Sequence, residues 1–148
     1  MPLEIAVSIA VLLGAASLRA AASAPAVILN SGSTNTAGFR LVVEKSGDAE
    51  YKPLPRKYGP QSSAPTGPTR RKLPDALAQR FYSDLEAAKP LASLPRERCM
   101  KSASFGTTTI IQFGGEETPD LSCPSAQNSH LRALMRDVEE IRGFFSSR

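Results

Sequence analysis

Only two cysteines occur in the 148-residue chain, Cys99 and Cys123, and they enclose its strongest strand-like run. Between them lies Thr107-Thr108-Thr109-Ile110-Ile111-Gln112-Phe113, a β-branched and aromatic series suited to a pleated, half-buried surface. The pattern predicts a central strand. Alternation puts Thr109, Ile111 and Phe113 on one face and Thr108, Ile110 and Gln112 on the other, and Gly114-Gly115 signals a turn.

Whether the cysteines pair depends on compartment. Residues 1–24 read as a secretory signal: an apolar run from Ile5 to Ala16 precedes small residues that allow cleavage after Ala22 or Ala24. The run is too short to span a bilayer, so no membrane span is expected in the mature form. The compartment is then periplasmic or extracellular, where two thiols persist as a disulfide, predicted here as Cys99–Cys123. His130 is the only histidine, so a zinc site is not expected, and no cofactor is. Closing the loop would contribute on the order of 3 kcal/mol. It also demands a fold-back, because residues 99–113 fully extended would carry the chain roughly 45 Å away. A bend at Gly106 is predicted, followed by a return segment from Glu116 to Ser122 that Pro119 restricts to an edge or irregular strand.

A hydrophobic content of 41% supports one modest core, hence a single domain over 25–148. Ala26 to Leu29 reads as a strand, followed by a polar loop over residues 30–38. That loop, through Asn30, Ser31, Gly32 and Ser33, is a candidate partner contact; an anion cradle there lacks a lysine at phosphate-loop spacing. Phe39, Leu41 and Val43 alternate inward, Ser46-Gly47-Asp48 turns the chain, and Ala49 to Lys52 returns, which predicts a β-hairpin.

Residues 53–72 contain five prolines and no hydrophobic periodicity, and they predict a long mobile loop. From Lys52 to Lys72 there are six bases and no acid, whereas the whole chain carries a net charge of only +4. Arg56, Lys57, Tyr58, Arg70, Arg71 and Lys72 are therefore the second candidate contact. Export and the lack of further aromatics there argue against nucleic acid; the partner is expected to be a protein or an anionic envelope component. Pro74 and Asp75 open a helix that ends before Pro90, with Leu77, Phe81, Leu85 and Ala88 as its apolar stripe. A second helix from Ser129 carries Leu131, Leu134, Met135, Val138, Ile141, Phe144 and Phe145 at helical spacing.

Catalytic patterns are sparse. There is no G-x-S-x-G elbow and no S-x-x-K, and the exported chain offers one histidine and two paired cysteines. Glu116, Glu117 and Asp120 read as an exposed acidic turn. The expectation is an α+β domain with a small antiparallel sheet of four to five strands, two helices packed on one face and one disulfide. Its function is expected to be that of a non-catalytic interaction module; the alternative is a small hydrolase using His130 with a distant serine.

Three stretches, GFRLVVEKSGDAEY, LPDALAQRFYSDLEAAKPL and TTTIIQFGG, order hairpin, helix and strand in a way that resembles small exported bacterial α+β proteins. More loosely, they resemble the emfourin type of protease-inhibiting protein. The resemblance implies an inhibitor-like binding role and transfers no functional residues.

Overall fold

Alternating apolar residues make strands whose apolar faces must be covered, and here two amphipathic helices cover one face of a single sheet. The computed structural model describes residues 24–56, 67–123 and 127–146. The segment read from sequence as a secretory signal lies, apart from Ala24, outside the described residues, as do Lys57 and Tyr58. The strands are β1 Ala26–Asn30, β2 Phe39–Val43, β3 Asp48–Pro53, β4 Thr69–Lys72, β5 Thr109–Phe113 and β6 Glu116–Glu117. The helices are α1 Asp75–Ala87 and α2 Ser129–Ser146. All strand pairs are antiparallel, in the order β4-β3-β2-β1-β5-β6.

The predicted class is present, with six strands instead of four or five. The two-residue β6, which Gly114 and Gly115, both at positive φ, reach by a tight turn, opens the return segment expected at an edge. The addition is β4, which corrects the reading of 53–72 as one loop. Thr69-Arg70-Arg71-Lys72 has no apolar period, but β3 supplies a ladder, Arg70 Nε pairs with Glu50 at 2.7 Å, and Arg71 lies 5.8 Å from the Phe144 ring centroid. Charged side chains with apolar stems suit an exposed edge. A second correction concerns centrality: β1 and β2 occupy the middle, and β5 is next to the β6 edge. Pairing between β1 and β5 spans about eighty residues of sequence and has no local signature.

Ala26, Ile28, Phe39, Leu41, Val43, Ala49, Ile111 and Phe113 form the sheet's share of one contiguous buried cluster. Helix α1 adds Leu77, Ala78, Phe81, Tyr82 and Leu85, and α2 adds Leu131, Leu134, Val138 and Ile141. The predicted α1 stripe is thus buried, and of the α2 stripe Met135, Phe144 and Phe145 are half-buried. The Tyr82 hydroxyl donates to the Val43 carbonyl at 2.7 Å and accepts from the Ala26 amide at 3.3 Å, satisfying the one polar atom its ring carries inward. Asn128 caps α2 by accepting the Leu131 amide at 3.0 Å. Among the described residues no helix is long and apolar enough to cross a membrane.

Candidate functional site

At the C-terminal end of β1 the chain leaves the sheet through the polar 30–38 loop, and the sheet positions it against the disulfide segment. Asn30 is buried; its Nδ2 donates to Thr109 Oγ1 at 2.9 Å and its Oδ1 accepts the Gly32 amide at 2.9 Å. Ser31 N donates to the Thr108 carbonyl at 2.9 Å and Thr108 N donates back to Ser31 Oγ at 3.0 Å, which prolongs the β1–β5 ladder by one residue. Ser33 Oγ and Asn35 N both donate to the Ser104 carbonyl, at 2.7 and 3.0 Å, and Thr34 Oγ1 donates to Ala103 O at 3.1 Å. The loop's polar groups are therefore directed inward, at residues 103–109. An anion cradle finds its amides already occupied: Gly32 N by Asn30, Ser33 N by Thr36 O, and Thr36 N by Ser33 Oγ.

The braced segment is the disulfide loop. Cys99 and Cys123 are bonded, with their Cα atoms 5.5 Å apart. The predicted bend is a turn in which Gly106 N donates to Ser102 O at 2.7 Å. A Cβ at Gly106 would lie 2.5 Å from that same oxygen, so a side chain cannot be placed there without opening the turn. Lys101 Nζ reaches the Asp120 carboxylate and the Thr107 carbonyl, tying the loop to the return segment. Asp120 also accepts the Thr109 amide at 3.0 Å and the Ser122 amide at 2.9 Å. Burial works to raise its carboxyl, and the Lys101 ammonium with these two amides outweighs burial, leaving it below the usual carboxylate range.

Among the residues this frame presents to solvent are two large apolar side chains. Phe105 is 68% exposed and Met100 fully exposed, the two exposed large hydrophobic residues among those described. Single exposed apolar side chains are ordinary; these two share one crosslinked, hydrogen-bonded loop. Sequence reading missed them because residues 99–106 have no period from which a face could be assigned. The available signal was their size within an otherwise polar, short segment.

The other predicted contact residues lie elsewhere. Arg70, Arg71 and Lys72 are on β4, three strand spacings or roughly 14 Å from β1. They are engaged: Arg70 by Glu50, Arg71 Nη1 by the Phe144 carbonyl at 2.8 Å, Lys72 by Ser46 O and by Asp48 at 3.8 Å. Arg56 is half-buried just after β3. His130 is exposed in the first turn of α2, and among the described residues it makes no hydrogen bond to a serine. The acidic turn is divided rather than clustered: Glu116 accepts the Leu91 amide at 2.9 Å, Glu117 accepts Gln112 Nε2 at 3.1 Å, and Asp120 holds Lys101. Among the described residues no group of three or more histidine, cysteine, aspartate or glutamate side chains is placed to hold a metal. Comparison with protein-family models, with curated proteins and with solved structures finds no match to this chain.

Proposed function

We propose that the chain is an exported, non-catalytic interaction module of the cell envelope or secreted fraction. It binds a protein partner in an inhibitor-like manner through the end of the sheet where the 30–38 and 99–108 loops meet. The observation that carries this reading is the exposure of Phe105 and Met100 on a loop fixed at both ends, by Cys99–Cys123 and by the Ser33, Thr34 and Asn35 hydrogen bonds. A loop whose backbone is fixed before binding loses less conformational freedom on docking than a slack one. Aromatic anchors entering a partner's pocket also dominate interface energies. The apolar 5–16 run supports export, and a disulfide fits an oxidising compartment.

The test compares wild type with Met100→Ser/Phe105→Ser as baits in envelope extract, with N-terminal sequencing of the exported protein. A partner retained by wild type and lost by the variant is expected, with the mature terminus near Ser23 or Pro25. A partner held equally by both would move the contact surface elsewhere. An intact Met1 on a cytosolic protein would overturn export.

A further inference from the structure

The sheet face opposite the helices carries an ordered pattern of charge. On β2 the residues facing that way are Arg40 and Val42, with Glu44 continuing the alternation, and on β3 they are Asp48, Glu50 and Lys52. Register sets Arg40 beside Lys52 at one end of this hairpin, and Glu44 beside Asp48 at the other, where Glu44 N bonds Asp48 O at 2.8 Å. Like charges directly opposite each other on neighbouring strands are destabilising. Here there are two such pairs, of opposite sign. Among the described residues, Arg40, Lys52 and Glu44 make no side-chain ion pair; Asp48 has Lys72 at 3.8 Å and Glu50 has Arg70. The middle row, Val42 beside Val27, is apolar and half-buried, as are Leu29 and Ile110 next to it.

The charge therefore reverses sign about the row through Val27, Val42 and the Arg70-paired Glu50: Arg40 and Lys52 lie on one side, and on the other lie Glu44 and Asp48, with Lys72 beside Asp48 offsetting part of the acidic charge. A surface of that kind is complementary to itself. A two-fold axis lying in the interface along this row sets Val42 on Val42 and Val27 on Val27. The same rotation brings Arg40 and Lys52 of one copy over Glu44 and Asp48 of the other, and the reciprocal pairs form at once. We propose that the open face docks a second copy of this chain, forming an isologous dimer with Val42 near the axis and Arg40–Glu44 pairs on either side.

A uniformly acidic partner would satisfy Arg40 and Lys52 and oppose Glu44 and Asp48; a basic one would do the reverse. A second copy matches both ends by one operation. The strands of the two copies then run along a common direction, as in aligned sheet packing. A depression of about 740 Å³ lies over β2, β3 and β4, lined by Arg40, Val42, Glu44, Asp48, Arg70 and Lys72. It leaves room for the long Arg40 and Lys52 side chains of the other copy. With strands about 4.8 Å apart and about 3.3 Å per residue, the face covers roughly 450 Å² in plan, so the dimer is at the small end of specific interfaces. An interface of this size belongs with weak, transient contacts, for which we set the expected dissociation constant on the order of tens of micromolar, weakening with salt.

Sedimentation of the wild type across that range, with Arg40→Glu and Glu44→Arg made separately, tests the idea. Wild type should self-associate. Each reversal alone should weaken self-association by about tenfold or more, because it places like charges on both sides of the axis. An equimolar mixture of the two variants should dimerise as heterodimers, since one copy then carries only acids at positions 40 and 44 and the other only bases. Val42→Glu, at the axis, should abolish association in any background, and circular dichroism verifies that each variant is folded. A wild type that stays monomeric to about ten times the expected constant overturns the proposal. Reversals without effect, or a mixture that does not recover, overturn it equally.

Discussion

Two aspartates sit beside cations, one half-buried at the disulfide end and one fully buried between the helices, and their carboxyls are shifted in opposite directions. Asp120, at the disulfide end, has Lys101 and two backbone amides on its oxygens, and its carboxyl is held low. Asp137, in the seam between α1 and α2, is completely buried. Arg80 Nε reaches its Oδ1 at 2.9 Å and Arg136 at 3.4 Å, but Arg80 is shared with Glu140 and Arg136 with Asp84. Its Oδ2 is buried with no hydrogen-bond partner. Desolvation is the leading cause of its raised carboxyl, opposed by Arg80 and reinforced by Asp84. Around Asp120 donors outnumber competitors; in the helix seam three carboxylates compete for two guanidinium groups. The disulfide end is thus held by polar contacts to a charged group and by a covalent bond, whereas the seam is held by apolar packing that tolerates a poorly satisfied acid.

The comparison is broken most directly by removing apolar volume from the seam. Leu85 is fully buried on α1, in the core cluster shared with the sheet and α2. Leu85→Ala should cost about 2–5 kcal/mol in urea denaturation. A loss under about 1 kcal/mol would mean that packing does not hold the seam. Next comes the disulfide: the bond closes a 24-residue separation, and Cys123→Ser should cost about 2–4 kcal/mol and several degrees of melting temperature. Far-ultraviolet circular dichroism should keep its helical signal below the melt, because α1 and α2 still have the β1–β3 face to cover. A melt indifferent to reductant would contradict this.

The two aspartates separate more finely. Asp120→Asn removes a charged acceptor from Lys101 and should cost about 1–3 kcal/mol at neutral pH. Because the folded Asp120 carboxyl lies below its ordinary 3.8, its contribution is present above that value and is lost as pH falls through the folded value. Asp137 has the opposite sign: with its folded carboxyl raised, its contribution is present below 3.8 and is lost as pH rises through the folded value. Asp137→Asn, whose amide can donate where Oδ2 has no partner, should change neutral-pH stability by under about 1 kcal/mol and remove that loss. Stability measured against pH for both variants checks the signs; two parallel curves would show that the carboxylates are not distinct.

Legibility from sequence divides along similar lines. The hairpin over 39–52, both helical stripes, β5 and the disulfide are written in local periods of two or 3.6 and in a cysteine count, so they were readable. β4 was not, because its strand character comes from β3 and from the Phe144 and Phe145 rings under Arg71. Asp137 was readable in principle: it falls on the face shared by Leu134, Val138 and Ile141, and only its charge hid it. The site was the least legible part. The sequence points to Asn30 and Ser33 as contacts because polar loop residues often bind partners, yet their groups support the neighbouring loop, and the exposed Met100 and Phe105 on that loop have no pattern of their own.

The smallest expected effect on stability is at those exposed residues, and there the two ends should differ most clearly in what a substitution does. Phe105 and Met100 have little or no buried area to lose, so Met100→Ser/Phe105→Ser should shift stability by no more than about 0.5 kcal/mol. Leu85 is the opposite case, a buried residue whose truncation should lower stability while leaving the exposed side chains of the loop unchanged. Ser33→Ala lies between them. It removes the donor to Ser104 O and the acceptor for Thr36 N, so it should cost about 1–3 kcal/mol and loosen the loop that presents Phe105. If partner binding depends on a preorganised loop, Ser33→Ala weakens it while both apolar side chains remain in place. Affinity measured for Ser33→Ala beside Met100→Ser/Phe105→Ser then distinguishes frame from contact. Ser33→Ala binding as tightly as wild type would mean that the bracing serves only the fold.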